Sequence, residues 1–124
     1  MKTSLRTILP AFAWLVLVTV LLTLPGSAIP KEDWLSNIQF DKWVHIVLFG
    51  TMVFLWCRAF SLNQHNAKKI FIWIAMAGLA YGIGMELIQK YFVANRSFDF
   101  FDIMADALGC GLGFWISRKY FIKK

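Results

Sequence analysis

Four long apolar segments constrain this chain more than any other feature. They lie near residues 8–24, 42–60, 70–88 and 101–117, and charged or turn-rich pieces separate them. Each has roughly the 17–25 residues that a helix needs to cross a hydrocarbon core. Because a backbone in lipid must satisfy its own hydrogen bonds, the segments predict an all-α fold, a four-helix transmembrane bundle with short loops.

The composition of the chain supports a membrane setting. Of its 124 residues 59% are hydrophobic and 16% charged, and the mean hydropathy is +0.60. A soluble domain of this size carries fewer apolar and more charged residues. We therefore expect one membrane domain over residues 1–124, with membrane lipids as its surroundings.

Basic residues predict how the bundle is oriented. Nine of the thirteen lie at one end of the predicted spans: Lys2, Arg6, Arg58, Lys68, Lys69, Arg118, Lys119, Lys123 and Lys124. All seven acids lie toward the other end. Under the positive-inside rule both termini are cytoplasmic, which predicts a multi-pass protein of the cell (cytoplasmic or inner) membrane. The net charge of +6 then reflects topology and affinity for anionic lipid, and we expect no nucleic-acid partner.

The first segment has a second interpretation. Lys2 and Arg6, the apolar run and the small residues at 26–28 resemble a secretory signal that is cleaved after insertion. The run from Ile8 to Leu24 is longer than the about 7–15 residues of a usual signal core. We expect a retained span, with cleavage as the open alternative.

Polar residues converge on the predicted outer end of the bundle. A charge among lipid tails costs at least a few kcal/mol, so such residues normally face the protein interior or a wet cavity. On a helix, positions three and four apart share a face, which lets the acids of the last span point the same way. The candidate binding residues are Asp41, Lys42, His45, Glu86, Gln89, Arg96, Asp99, Asp102 and Asp106.

Individual members of this set have structural alternatives. Asp41 and Asp99 suit helix N-caps, Arg96 can neutralise acids or touch lipid phosphate, and Lys42 can extend to the interface. A lone His45 is commonly a hydrogen-bonded interior residue.

Glu86 and Asp106 resist such interpretations, because apolar residues flank both and neither ends a helix. We expect their partners on other helices. Glu86 is predicted to pair with Arg96 or His45, and Asp106 with Gln89 or His45.

Glycines predict close helix packing. Gly78 and Gly82 lie four apart on the third span, as Gly109 and Gly113 do on the fourth. Small residues at this spacing let transmembrane backbones approach each other. We expect these two faces to pack the third span on the fourth, with dimerisation of the chain as the alternative.

Three motifs together resemble the VanZ-like family of small bacterial membrane proteins. They are D-K-W-V-H-I-V-L-F-G at 41–50, E-L-I-Q at 86–89 and R-S-F-D-F-F-D-I-M-A-D-A-L-G-C-G-L-G at 96–113. The resemblance implies a multi-pass protein of the bacterial cell envelope, and the founding member is associated with teicoplanin resistance. It leaves the biochemical activity open, because a shared fold does not determine function.

Three hypotheses about function remain open. In the first, the outer pocket binds the head group of a lipid, a lipid-linked carrier or another amphiphile, with no cofactor. In the second, the acids and His45 hold magnesium or manganese for hydrolysis or transfer on a lipid-linked substrate. In the third, the polar cluster only joins three helices. No phosphate-binding loop, zinc-type histidine pair or nucleophile motif is present in the sequence, so whether the chain is an enzyme stays open.

Overall fold

The computed structural model describes residues 5–23, 40–61, 66–92 and 100–122. These contain four helices, α1 (Leu5–Leu22), α2 (Phe40–Ala59), α3 (Ala67–Phe92) and α4 (Phe100–Phe121). Their 18, 20, 26 and 22 residues are long and apolar enough to cross a membrane. The prediction of four helical spans is confirmed, and α3 and α4 each extend about one turn beyond the predicted end of their span.

Contacts between helices show that neighbours in sequence run antiparallel. The indole Nε1 of Trp14 on α1 donates to the carbonyl oxygen of Leu48 on α2 over 3.0 Å. Further along, the hydroxyl groups of Thr19 on α1 and Tyr81 on α3 are hydrogen-bonded. Three residues later on α1, Leu22 contacts Gln89, which lies beyond Tyr81 on α3, so α1 and α3 run parallel. Along α3 the contacts with α2 run from Val53, beside Gly78, back to His45, beside Glu86, so α2 runs opposite to both.

The most extensive contact joins α2 and α4, which run parallel although α3 lies between them in sequence. Glycines allow this close approach. A Cβ on Gly109 would lie 2.6 Å from the carbonyl oxygen of Ile46, and one on Gly113 would lie 2.6 Å from that of Gly50. The prediction that Gly109 and Gly113 pack on the third span is therefore wrong, since their face meets the backbone of α2.

The glycines of α3 do face α4, as predicted. A Cβ on Gly78 would lie 3.1 Å from the sulfur of Cys110. One on Gly82 would lie 2.6 Å from Oδ2 of Asp106. α4 therefore packs against two helices, against α2 through glycines of both partners and against α3 through the glycines of α3.

Burial in this bundle reverses the pattern of a soluble protein. Large apolar side chains such as Phe12, Trp73 and Leu108 are more than half exposed. The buried residues include polar ones, namely His45, Glu86, Gln89, Asp102, Asp106 and Ser117. An apolar outer surface around a partly polar interior is what a hydrocarbon solvent selects.

The two ends of the bundle differ in charge. The basic residues at one end are Arg6, Arg58, Lys68, Lys69, Arg118 and Lys119, at the starts of α1 and α3 and the ends of α2 and α4. The three acids whose side chains the structure describes, Glu86, Asp102 and Asp106, lie toward the opposite end. This opposite end is called the acidic end below.

Candidate functional site

Four ionisable side chains are buried together at the acidic end of the bundle. His45 is 5% exposed, Glu86 1%, Asp102 8% and Asp106 1%. α2 and α4 begin here and α3 ends here, so three helices contribute to one cluster. With Lys42 these residues form what we call the polar cluster.

Lys42 lies in the first turn of α2 and turns toward α4. Its Nζ donates to Oδ1 of Asp102 over 2.5 Å, and its side chain is 16% exposed. Asp102 occupies the first turn of α4, so the parallel packing of the two helices brings both first turns to the same level. The ion pair directs Lys42 toward the interior of the bundle. The alternative interpretation, in which Lys42 extends to the membrane interface, did not predict this contact.

His45 lies between the two acids of α4. Its Nδ1 is hydrogen-bonded to Oδ1 of Asp106 over 2.6 Å. Its Nε2 lies 3.8 Å from Oδ2 of Asp102. The ring stacks on Phe49, one turn deeper, with 6.2 Å between centroids. The predicted pairing of Asp106 with His45 is confirmed, and both ring nitrogens face a carboxylate.

Glu86 reaches the same cluster from α3. One ligand atom each from His45, Glu86 and Asp102 lies within 4.8 Å of the other two. Gly82, one turn before Glu86, leaves room for the carboxylate of Asp106. A side chain at Gly82 would collide with that carboxylate, so the glycine allows Asp106 to lie beside His45.

Gln89 makes a different contact from the predicted one. Its Nε2 donates to the carbonyl oxygen of Leu22 on α1 over 2.7 Å, and the side chain is 2% exposed. Leu22 is the last residue of α1, where carbonyl groups have no partner within the helix. Gln89 therefore caps α1. The predicted alternative, in which Gln89 pairs with Asp106, is wrong for the amide nitrogen of Gln89, which binds Leu22 instead.

Three predicted site residues cannot be placed in this geometry. Arg96 and Asp99 lie outside the described residues, and so does the side chain of Asp41. Their assignment to the site stays a prediction, as does the pairing of Arg96 with Glu86.

One oxygen of Asp106 is left without a partner. Oδ2 is buried and makes no hydrogen bond within the described part of the chain, whereas Oδ1 contacts His45. A buried polar atom normally has a hydrogen-bond partner, and an unsatisfied one costs about 1–3 kcal/mol. Such a group marks a place where a bound donor or cation would be stabilising.

The cluster can therefore accept and donate hydrogen bonds at one end of an otherwise apolar bundle. Its carboxylates accept from hydroxyl, amine or water donors, and Lys42 donates to anionic oxygens. His45, Glu86 and Asp102 are the described residues that together could hold a metal ion. Proton exchange between an imidazole and carboxylates is a further capacity of such a group.

Comparison with known proteins agrees with the resemblance of the motifs. The model of the VanZ/LLP1 family matches residues 5–123. The chain belongs to the VanZ/LLP1 family. It is a VanZ-like membrane protein with four helices of spanning length.

A relative of the chain occurs in a yeast. Over 82 residues the chain is 37% identical to the uncharacterized protein C11E3.10 of Schizosaccharomyces pombe. The match covers 64% of this chain and 48% of the relative, so the chain spans about half the length of that protein. No solved structure matches the chain. The expected bacterial origin and envelope location stay predictions.

The VanZ-like motifs lie on three different helices. The segment 41–50 forms the first half of α2, 86–89 lies near the end of α3, and 100–113 forms the first part of α4. Their polar members meet because α2 and α4 start at the end where α3 finishes. The motifs therefore describe one cluster that exists only in the folded bundle.

Some residues that build this region escaped the sequence analysis. Gly50 provides the backbone against which Gly113 packs, and Thr19 and Tyr81 join α1 to α3. The signal for Gly50 was present, since it closes the first motif. Thr19 and Tyr81 carry no spacing that would have paired them across 62 residues.

Proposed function

We propose that the chain is a membrane protein of the cell envelope that binds the polar head group of a lipid or other amphiphile in the polar cluster. The observation that carries the proposal is the burial of four ionisable side chains at one end of the bundle, with the partly buried Lys42 paired to one of them. The four are His45, Glu86, Asp102 and Asp106. Buried ionisable groups in a membrane protein usually serve a function, because their insertion is costly.

The position of the cluster suits a head group. Lys42 and Asp102 lie in the first turns of their helices, near the level at which a spanning helix meets lipid head groups. The carboxylates would accept hydrogen bonds from amine or hydroxyl groups of the ligand, and Lys42 would meet a phosphate oxygen. A zwitterionic or sugar-bearing phosphate head group combines these features.

An apolar cavity in the same bundle offers space for part of a lipid chain. It has a volume of about 300 Å³ and is lined by Leu15, Met52, Val53, Trp56, Ile74, Ala77, Gly78 and Tyr81. That volume is at the lower end of the range of ligand pockets, about 300–1,000 Å³. Phe49 packs between His45 and Tyr81, so one aromatic side chain separates the polar cluster from this cavity.

The proposed orientation places the acidic end outside the cell. Six basic residues at the opposite end of the described helices support a cytoplasmic location for that end, and with it for both termini. The membrane would then be the cytoplasmic or inner membrane. A role in the envelope or glycopeptide-antibiotic response is the wider proposal that the family suggests, and it depends on head-group binding.

Lipid retention tests the head-group proposal. We would purify the parent protein, Lys42→Gln and the control Lys68→Gln in mild detergent and identify bound lipids by native mass spectrometry. Lys68 is an exposed lysine at the other end of the bundle. We expect a defined lipid class on the parent and on Lys68→Gln, with at least a tenfold lower occupancy on Lys42→Gln.

Equal occupancy in all three proteins would refute the proposed role of the cluster. Thermal unfolding of each variant ensures that the comparison is made between folded proteins. If Lys42→Gln does not fold, His45→Gln replaces it in the same assay.

A further inference from the structure

We infer that His45, Glu86 and Asp102 form a divalent-cation site. Their ligand atoms lie within 4.8 Å of one another, and all three side chains are buried. Each residue comes from a different helix, so an ion bound here would join α2, α3 and α4. This inference goes beyond head-group binding, because the ion can bind without a lipid.

The orientation of His45 supports the site independently of these distances. Nδ1 of His45 is hydrogen-bonded to Oδ1 of Asp106 over 2.6 Å, and Nε2 is the ring nitrogen directed toward Asp102. A histidine that binds a metal almost always donates its other ring N–H to a carboxylate or carbonyl, which holds the ring in place. With Asp106 accepting from Nδ1, the lone pair of Nε2 is free to coordinate a cation.

Asp102 can serve Lys42 and a cation at once. Its Oδ1 accepts from Lys42, whereas Oδ2 is the oxygen that faces the imidazole. Two carboxylates and one imidazole form a mixed ligand set. The carboxylates favour magnesium, calcium or manganese and the imidazole favours a transition metal, so manganese is the probe that meets both preferences. An ion about 2.1 Å from each ligand holds opposite ligands about 4.2 Å and adjacent ligands about 3 Å apart, so binding would draw the three side chains closer together.

The unpartnered oxygen of Asp106 is a second indication of a ligand. Oδ2 is buried in the same cluster and lacks a hydrogen-bond donor within the described residues. Water molecules that complete the coordination shell of a cation are donors of the kind this oxygen needs. The hypothesis of metal-assisted chemistry on a lipid-linked substrate depends on this site, because that chemistry needs a bound divalent ion.

Manganese binding to lipid-depleted protein tests the site. We would strip the purified protein with a chelator and follow the loss of the free Mn²⁺ signal by electron paramagnetic resonance during titration. One saturable ion per chain is expected. Glu86→Gln and Asp102→Asn should weaken binding at least tenfold, and Asp106→Asn about 10–100-fold, as for other carboxylates that orient a ligating histidine. Glu32→Gln, in the connection between α1 and α2, is the matched control.

The parent protein alone provides a second readout if a variant does not fold. Pulsed spectra of bound Mn²⁺ should show coupling to an imidazole nitrogen, and His45→Gln should remove it. Absence of saturable binding up to millimolar Mn²⁺, binding without nitrogen coupling, or unchanged binding in Glu86→Gln and Asp102→Asn would each overturn the site. Lipid retention is measured separately, so a failed metal site and a failed head-group proposal give different results.

Discussion

His45 and Asp106 lie 61 residues apart in sequence and are joined by a 2.6 Å hydrogen bond in the interior of the bundle. The bond connects α2 with α4, the two helices that pack most closely. It orients the imidazole between two carboxylates, so the same contact joins two helices and sets the geometry of the polar cluster.

A double-mutant cycle should detect this bond. We expect His45→Ala and Asp106→Ala each to lower the free energy of unfolding, and the double variant to lose less than the sum. The coupling should be about 0.5–2 kcal/mol, because hydrogen bonds between membrane helices contribute modestly. Thermal or denaturant unfolding in detergent measures it. Strict additivity would mean that the contact does not contribute to stability.

Gly109 should not tolerate a side chain, whereas Gly111 should. A Cβ on Gly109 would lie 2.6 Å from the carbonyl oxygen of Ile46, a backbone atom that cannot move alone. We expect Gly109→Ala to lower the free energy of unfolding by about 1–3 kcal/mol through overpacking. Gly111 has no atom within 4 Å of its Cβ position, so Gly111→Ala should leave stability unchanged or raise it by up to about 1 kcal/mol. Equal melting temperatures for both variants would contradict the packing of α2 on α4.

Gln89→Leu should loosen the end of α1. The change removes the donor to the carbonyl oxygen of Leu22, and an unsatisfied buried group costs about 1–3 kcal/mol. Hydrogen exchange should therefore increase in the last turn of α1 and not in α2. Ile88→Leu alters the neighbouring, exposed position and serves as the control. Protection of α1 that is the same in both variants would show that Gln89 is not its cap.

Single-cysteine labelling should determine the orientation. Both cysteines, Cys57 and Cys110, are buried and would first be replaced. Cysteines should be placed at Ser36, in the connection from α1 to α2, and at Ala94, in the connection from α3 to α4. Both should react with an impermeant thiol reagent applied to intact cells. A cysteine at Asn66, between α2 and α3, should react only after permeabilisation. Labelling at Asn66 in intact cells would reverse the orientation and place the polar cluster on the cytoplasmic side.

The sequence was sufficient to predict the polar cluster as a group but not its internal pairing. Lys42, His45, Glu86, Asp102 and Asp106 could be assigned to one end because each lies near the same end of a predicted span. Which atoms meet depends on the rotation and depth of each helix. The pairing of His45 with Asp106 was one of two predicted alternatives, and the ion pair of Lys42 was not foreseen.

For Gln89 and the glycines of α4, the sequence likewise predicted a buried position but not the contact partner. Their periodicity correctly indicated that these residues face the interior. It could not indicate which neighbour they face, since a helical repeat describes a face relative to its own axis only. The structure directs Gln89 to α1 and Gly109 to α2.

The sequence by itself determined that the helices suit a lipid environment, that the described residues form four of them, and that the buried polar groups collect at one end. These follow from the length of apolar segments and the distribution of charge, which are local properties of the chain. Only the tertiary structure decided that α2 and α4 pack in parallel through Gly50, Gly109 and Gly113. This packing depends on side-chain volumes and backbone contacts between segments about 60 residues apart. A local sequence pattern contains no information about such contacts.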